Sequence, residues 1–269
     1  MKFSFSTLGC PRWTLSEILS AAKDLGYAGV ELRGLGDDIF LPDAQAFKTG
    51  GIGVKDELTS RGLEISCIST ECMLHKNAPD LEEKVMAYIN LAASLGCRGI
   101  RLLGDTDPWK GNDVDVDLVA KNLARFAPAA EEAGVDLLIE TNGVFSDTKL
   151  LAQVIRSANS ANTGIVWDIN HPYRYGHEYP LRTWNNIGDL VRHVQVKDSA
   201  IENGEVVYRM FGKGNLPIAD AFKLLKTGGY SGHISLEWTK RWNSDLEEPG
   251  VVFSHFIYNA KKVWETCDK

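Results

Sequence analysis

Five amphipathic stretches each end in a glycine that leads straight into an apolar run, and this punctuation restricts the chain to a strand-after-helix repeat. The junctions are Leu25-Gly26-Tyr27, Arg61-Gly62-Leu63, Leu95-Gly96-Cys97, Ala133-Gly134-Val135 and Thr227-Gly228-Gly229. Glycine suits the left-handed position that closes a helix. Hydrophobic spacing predicts strands near Phe3 to Leu8, Gly29 to Leu32, Glu64 to Ser69 and Gly99 to Leu103, then strands ending at Glu140, at Asp168, through Gln195 and at Glu237. Helices are predicted near Leu15 to Leu25, up to Arg61, Asp80 to Leu95, Val116 to Ala133, Thr148 to Ser157, Leu181 to Ile187, Pro217 to Thr227 and Pro249 to Trp264. Pro217 fits a first helical turn, where no backbone donor is needed. Strand-then-helix order implies a parallel sheet, and eight such units favour closure. The expectation is an α/β chain folded as one (β/α)8 TIM barrel over residues 1–269, a length ordinary for that fold.

Composition narrows the function classes. The formal charge of −7, from 29 basic and 36 acidic residues, argues against a surface that tracks nucleic acid. No apolar stretch is long enough to span a bilayer and no leader is read at Met1-Lys2-Phe3-Ser4, so no membrane partner is expected. The five cysteines are odd in number and lack zinc-finger spacing; they read as reduced thiols of a cytoplasmic protein.

Four of the strands end in an oxygen-bearing side chain: Glu140, Asp168, Gln195 and Glu237, spaced 28, 27 and 42 residues apart. In a parallel barrel the C-terminal strand ends share one rim, which carries the chemistry. Three acids on one rim repel one another unless a cation lies among them. An all-oxygen donor set suits one hard divalent ion, with Mn²⁺ or Mg²⁺ ahead of Zn²⁺ or Co²⁺. The alternative for any one acid is a helix cap or a loop ion pair.

Further rim candidates have two readings each. Lys197 shares strand parity with Gln195, so it either points inward toward an anionic group or pairs with Asp198. Glu31, Glu71 and Arg101 lie near strand ends 2, 3 and 4, positioned to hydrogen-bond sugar hydroxyls or to remain solvated. Trp13 and Trp109 occupy rim loops and either stack on a sugar face or anchor the loop. His193 and His233 sit deeper and read as buried hydrogen-bonding groups. Gly212-Lys213-Gly214 lacks the full phosphate-loop spacing and reads as a turn.

Several ordered motifs are shared with a known family: Ile139-Glu140-Thr141-Asn142-Gly143, Trp167-Asp168-Ile169-Asn170-His171-Pro172, His193-Val194-Gln195-Val196-Lys197-Asp198, Phe211-Gly212-Lys213-Gly214-Asn215-Leu216-Pro217 and Ile234-Ser235-Leu236-Glu237-Trp238. Together they make the chain resemble the sugar phosphate isomerase/epimerase family, the xylose-isomerase-like barrels. The resemblance implies one divalent metal on Glu140, Asp168, Gln195 and Glu237. It implies Glu140 and Glu237 as the acid/base pair that moves a proton next to a carbonyl through an enediolate. It also implies that His171, in the Asp-x-x-His pattern, bonds a substrate oxygen, that the substrate is a small carbohydrate, and that the protein self-associates. Gln195 stands where several relatives, ketose 3-epimerases among them, carry His, whereas hydroxypyruvate-isomerase-like members carry Gln there. Ser146 and Ile201 stand where ketose 3-epimerases carry a further Glu and an Arg, so the chain departs from the plain ketose 3-epimerase pattern. An inosose-type dehydratase on the same metal site is the nearest alternative, separated by loss of water in the product. An apurinic endonuclease would need a richer histidine set than six and a basic surface; a non-catalytic metal-binding barrel would exchange no substrate hydrogen.

Overall fold

Short runs of β-branched and aliphatic residues, bounded by the glycine turns, pair side by side into a ring. The structure is a computed structural model that describes residues 1–48, 50–107 and 113–267. The ring strands are β1 (Lys2–Ser6), β2 (Gly29–Leu32), β3 (Glu64–Met73), β4 (Gly99–Leu103), β5 (Asp136–Glu140), β6 (Thr163–Asp168), β7 (Val191–Val196) and β10 (His233–Leu236). They close in the order β1-β10-β7-β6-β5-β4-β3-β2, every pair parallel. Between β7 and β10 the chain inserts an antiparallel hairpin of β8 (Asp198–Glu202) and β9 (Glu205–Arg209).

Helices α1 (Leu15–Leu25), α2 (Ile52–Arg61), α3 (Leu81–Leu95), α4 (Val116–Ala133), α5 (Thr148–Ser157), α6 (Asn170–Arg174), α7 (Pro180–Ile187), α8 (Ile218–Thr227) and α9 (Pro249–Thr266) follow their strands. A capping box starts α1: the Glu17 N–H donates to the Thr14 hydroxyl, and the Thr14 N–H donates to the Glu17 carboxylate at 2.7 Å. Gly26, Gly62, Gly96 and Gly134 close α1 to α4 with φ of 76°, 66°, 71° and 69°. The fifth junction differs from expectation. Gly228 remains right-handed and Gly229 takes the positive φ of 74°.

Burial explains why the ring holds. β2, β4, β5, β6 and β10 are covered on both faces, as expected for a parallel sheet lined by helices. Phe5 stacks on Phe253 of α9 with centroids 4.1 Å apart, and Phe3, Tyr27, Phe211, Phe222 and Phe256 extend this aromatic seam. Cys67, Leu138 and Val166 form a separate small apolar cluster.

Several boundaries move. β1 stops at Ser6 rather than Leu8 because Thr7–Gly9 tighten into a 3-10 turn. β3 continues past Ser69 to Met73. β10 ends at Leu236, although the Glu237 N–H still donates to the Val196 carbonyl and fixes that residue at the rim. Helix α6 and the hairpin were not expected. Among the described residues no helix is long and apolar enough to cross a membrane.

Candidate metal and active site

The rim after β5, β6, β7 and β10 brings together the four oxygen-bearing residues read from the sequence. Glu140, Asp168, Gln195 and Glu237 are all buried, with Asp168 and Gln195 completely so. The sheet register aligns Asp168 with Gln195, and backbone bonds from Thr141 N–H to Val166 O and from Ile169 N–H to Gln195 O carry the ladder past the strand ends. Each donor therefore stands on a fixed backbone.

Lys197 completes the cluster. Its ammonium is 2% exposed and donates to Oδ2 of Asp168 and Oε2 of Glu237. Of the two readings open for Lys197, the inward one holds. Asp198 instead accepts from Ser199, Gly212, Gly214 and Leu216 N–H groups and so ties the Gly212-Lys213-Gly214 segment into a turn, as expected. A carboxylate already occupies the N–H groups that a phosphate would need. Burial disfavours the Lys197 charge, but Asp168 and Glu237 outweigh it and hold the amine protonated, its pKa well above the ordinary value.

The other wall of the cluster is His171 and Arg101. Nδ1 of His171 lies 3.3 Å from Oε1 of Glu140, and its Nε2 lies 3.8 Å from Oδ2 of Asp168. Arg101 places Nε 3.2 Å from Oε2 of Glu140 and donates from Nη1 to the Thr70 carbonyl. Burial pushes the Glu140 carboxyl up, yet Arg101, His171 and Lys197 outweigh it and hold the pKa below the usual range. Glu237 goes the other way. Its burial, together with the negative charge of Glu140, Asp168 and Glu31, raises its pKa against the pull of Lys197.

Glu31 takes neither position considered for it. It is fully buried beneath the rim, where its carboxylate accepts from Ser69 at 2.7 Å and from Nε2 of Gln195 at 2.7 Å, with Nε2 of His193 at 3.0 Å. A carboxylate only accepts, so it fixes which end of the Gln195 amide faces it. Oε1 of Gln195 is left buried and without a hydrogen-bond partner. His193 is thus the buried hydrogen-bonding group expected. His233, also buried, lies 3.6 Å from Glu64, and burial lowers its pKa to about 4.

A cavity of about 370 Å³ opens onto this cluster, lined by Arg33, Arg101, Glu140, His171, Lys197 and Glu237 among others. Trp242, Tyr208, Asn142 and Thr239 also line it; neither these four nor Arg33 was singled out from the sequence. Glu31 and Trp13 do not line it. Trp13 packs edge-on against Phe253 with centroids 5.7 Å apart, which is the loop-anchor reading. Glu71 accepts from the Tyr88 hydroxyl at 2.7 Å rather than standing solvated. Trp109 lies outside the described residues. The turn after β5 depends on Gly143, whose φ is +58° and whose added Cβ would meet Oδ2 of Asp105 at 2.0 Å. That carboxylate accepts from the Val144 N–H at 2.9 Å. A larger cavity of about 450 Å³, with Arg98, Asp136 and Arg192 in its wall, lies on the opposite rim. The mouth at the strand C-termini is where barrels keep their chemistry.

The donor set fits a divalent cation. Glu140, Asp168 and His171 each offer a ligand atom within 4.8 Å of the others. Gln195 adds an unpartnered buried oxygen. A positive charge already stands between Asp168 and Glu237 in the form of the Lys197 ammonium.

The sequence model described as xylose isomerase-like TIM barrel matches residues 19–254. The chain belongs to this family. Fructoselysine 3-epimerase of Shigella flexneri is 22% identical over 256 residues, covering 88% of this chain and 90% of that protein. Among solved structures, the probable 3-DHS dehydratase AsbF of Bacillus anthracis superposes with a TM-score of 0.79 at 16% identity, over 97% of this chain and 99% of its own. The IOLI protein, solved with a zinc atom, superposes with a TM-score of 0.79 at 14% identity, over 98% of each chain. These superpositions show a shared fold over nearly the whole chain.

Proposed function

We propose that the protein is a divalent-cation-dependent isomerase or epimerase that moves a proton next to the carbonyl of a sugar or keto-sugar. One observation carries this reading: Glu140, Asp168 and Glu237, from three separate strand ends, are buried together at the mouth of the ring, with the Lys197 ammonium between Asp168 and Glu237 and Arg101 beside Glu140. The similarity to fructoselysine 3-epimerase supports a carbohydrate substrate. In this reading Glu140, Asp168, Gln195 and Glu237 hold the cation, with Mn²⁺ favoured for an oxygen donor set. The bound cation supplies electrostatic stabilisation of negative charge developing on the substrate oxygens.

The chain's own residues do the rest. Glu140 and Glu237 stand on different strands of the same cavity, and one removes the proton while the other returns it. His171 lines that cavity and donates to a substrate oxygen. Lys197 lines the same cavity, where its ammonium would hold an oxygen of the substrate.

Incubation of the Mn²⁺-loaded protein in D₂O with a panel of aldoses, ketoses, their phosphates and inososes tests the reading. Deuterium in the carbon next to a carbonyl is the expected result, and no incorporation from any member of the panel contradicts it. Loss of the mass of water from the product would instead support the dehydratase alternative.

Glu31 is a positioning residue in this account. Glu31→Gln replaces the acceptor-only group beside the Gln195 Nε2 with an amide that can also donate, so the Gln195 amide is no longer held in one orientation and Mn²⁺ affinity is expected to fall about 10- to 100-fold, the usual cost of losing a group that orients a ligand. Calorimetric titration of the variant with Mn²⁺ reads the effect; an unchanged affinity removes this role.

A further inference from the structure

The mouth of the ring is electrically two-sided. Glu140, Asp168, Gln195 and Glu237 come from β5, β6, β7 and the end of β10, which are consecutive in the ring. Arg101 on β4 and Arg33 just after β2 occupy the other arc, with β3 between them. Both arginines line the same cavity.

The two guanidinium groups are not equally satisfied. Arg101 has Glu140 at 3.2 Å and the Thr70 carbonyl at 2.9 Å. Arg33 is 8% exposed, and its Nη1 is buried with no hydrogen-bond partner. Its nearest carboxylate is Glu71 at 4.0 Å, and Glu71 already accepts from Tyr88. Burial lowers the Arg33 pKa, and the positive charge of Arg101 lowers it further. A buried, incompletely paired guanidinium beside a second one is costly unless an anion joins them.

The geometry around Arg33 is fixed rather than adventitious. Its N–H donates to the Thr7 hydroxyl at 2.8 Å, and that hydroxyl donates to the Gly34 carbonyl at 2.8 Å. The indole of Trp242 lies 5.9 Å from the Arg33 Cζ and is 61% exposed, lining the cavity. Arg241, the preceding residue, donates from its backbone to Leu8 and from Nη1 to Gly36, which ties the Trp242 loop to the loops after β1 and β2. An aromatic ring at this distance gives a guanidinium a cation–π attraction and leaves its N–H fork free to grip a carboxylate or phosphate in two places.

We propose that Arg33, backed by Trp242, forms a subsite for an anionic group carried by the substrate, a carboxylate or a phosphate at the end remote from the reacting carbon. The proposal rests on the cavity being the substrate site of the preceding section. It makes the substrate class an acidic keto-sugar or a keto-sugar phosphate rather than a neutral sugar. The acid end lies toward β2 and the carbonyl end toward β5 to β10.

Binding of three matched probes tests it: D-fructose, D-fructose 6-phosphate and D-fructuronate, followed by tryptophan fluorescence and calorimetry, with EDTA and again with Mn²⁺. At least one acidic probe is expected to bind about 10- to 100-fold tighter than D-fructose, the range for charge-assisted bonds to one guanidinium. Whichever acid is preferred identifies phosphate or carboxylate as the source. Arg33→Met is expected to abolish the preference, and Arg33→Lys to restore part of it; the lysine variant also controls for loss of fold. Equal binding of acidic and neutral probes to the unaltered protein, or a preference that survives in Arg33→Met, overturns the proposal. A preference that depends on Arg33, with no deuterium exchange in these probes or in any member of the wider panel, upholds the subsite and removes the proton-transfer reading. Exchange into D-fructose with an acid/neutral ratio unchanged by Arg33→Met does the reverse.

Discussion

Glu237→Gln and Glu140→Gln, each loaded with Mn²⁺, are expected to exchange substrate hydrogen with D₂O about 100- to 10,000-fold more slowly than the unaltered protein, the usual contribution of a positioned acid or base. Both side chains are buried at the cavity, so the amide replacements keep shape and one oxygen while removing the proton-accepting group. The comparison needs metal content measured alongside, because both residues are also expected to hold the ion. A variant that retains the metal and exchanges at the full rate would remove that residue from the proton transfer. The two variants need not be equal. Burial and the neighbouring acids raise the Glu237 pKa, while Arg101, His171 and Lys197 lower that of Glu140.

Lys197→Met carries the second large effect, and it is on stability. In the metal-free protein the ammonium is the charge that allows Asp168 and Glu237 to be buried side by side. Removing one member of a buried ion pair costs about 3–5 kcal/mol, because the partner is left charged and unpaired. For a chain of this size that corresponds to a fall in Tm on the order of 10 °C. The loss is expected in EDTA and is expected to be recovered largely by Mn²⁺, which takes over the same carboxylates. The Mn²⁺-induced rise in Tm is therefore larger in Lys197→Met than in the unaltered protein. Equal melting temperatures of the two proteins in EDTA would show that Lys197 does not serve as the internal counter-charge.

The ring was legible in the sequence because its signals are local. Alternation of apolar runs with amphipathic stretches and the left-handed glycines at Gly26, Gly62, Gly96 and Gly134 are set by a few neighbouring residues. The strand-end placement of Glu140, Asp168 and Gln195 follows from the same cuts. The hairpin of β8 and β9 was also written locally, in Asn203-Gly204, whose φ values of 52° and 86° are those of a two-residue hairpin turn. That local signal stands outside the strand–helix rhythm, because the hairpin is an antiparallel insertion between β7 and β10.

What could not be read depends on which groups meet across the ring. Glu31 and Gln195 are 164 residues apart, yet the closed sheet sets them 2.7 Å from each other. Nothing in the neighbourhood of Glu31 distinguishes a carboxylate that orients a ligand from one that touches a sugar. Arg33 follows β2 in a stretch that reads as an ordinary strand end, and Trp242 reaches it from the far side of the chain sequence. Lys197 was readable as inward-facing from parity alone, but its role as the charge between two acids required both acids in place.

Calorimetric and EPR titration of the metal-free protein with Mn²⁺, run beside Asp168→Asn, addresses the central claim most directly. One ion per chain is expected for the unaltered protein, with affinity lost or cut by orders of magnitude in the variant. Failure of the unaltered chain to bind Mn²⁺, Mg²⁺, Co²⁺ or Zn²⁺, or binding that Asp168→Asn leaves unchanged, would contradict a cation at the mouth of this ring.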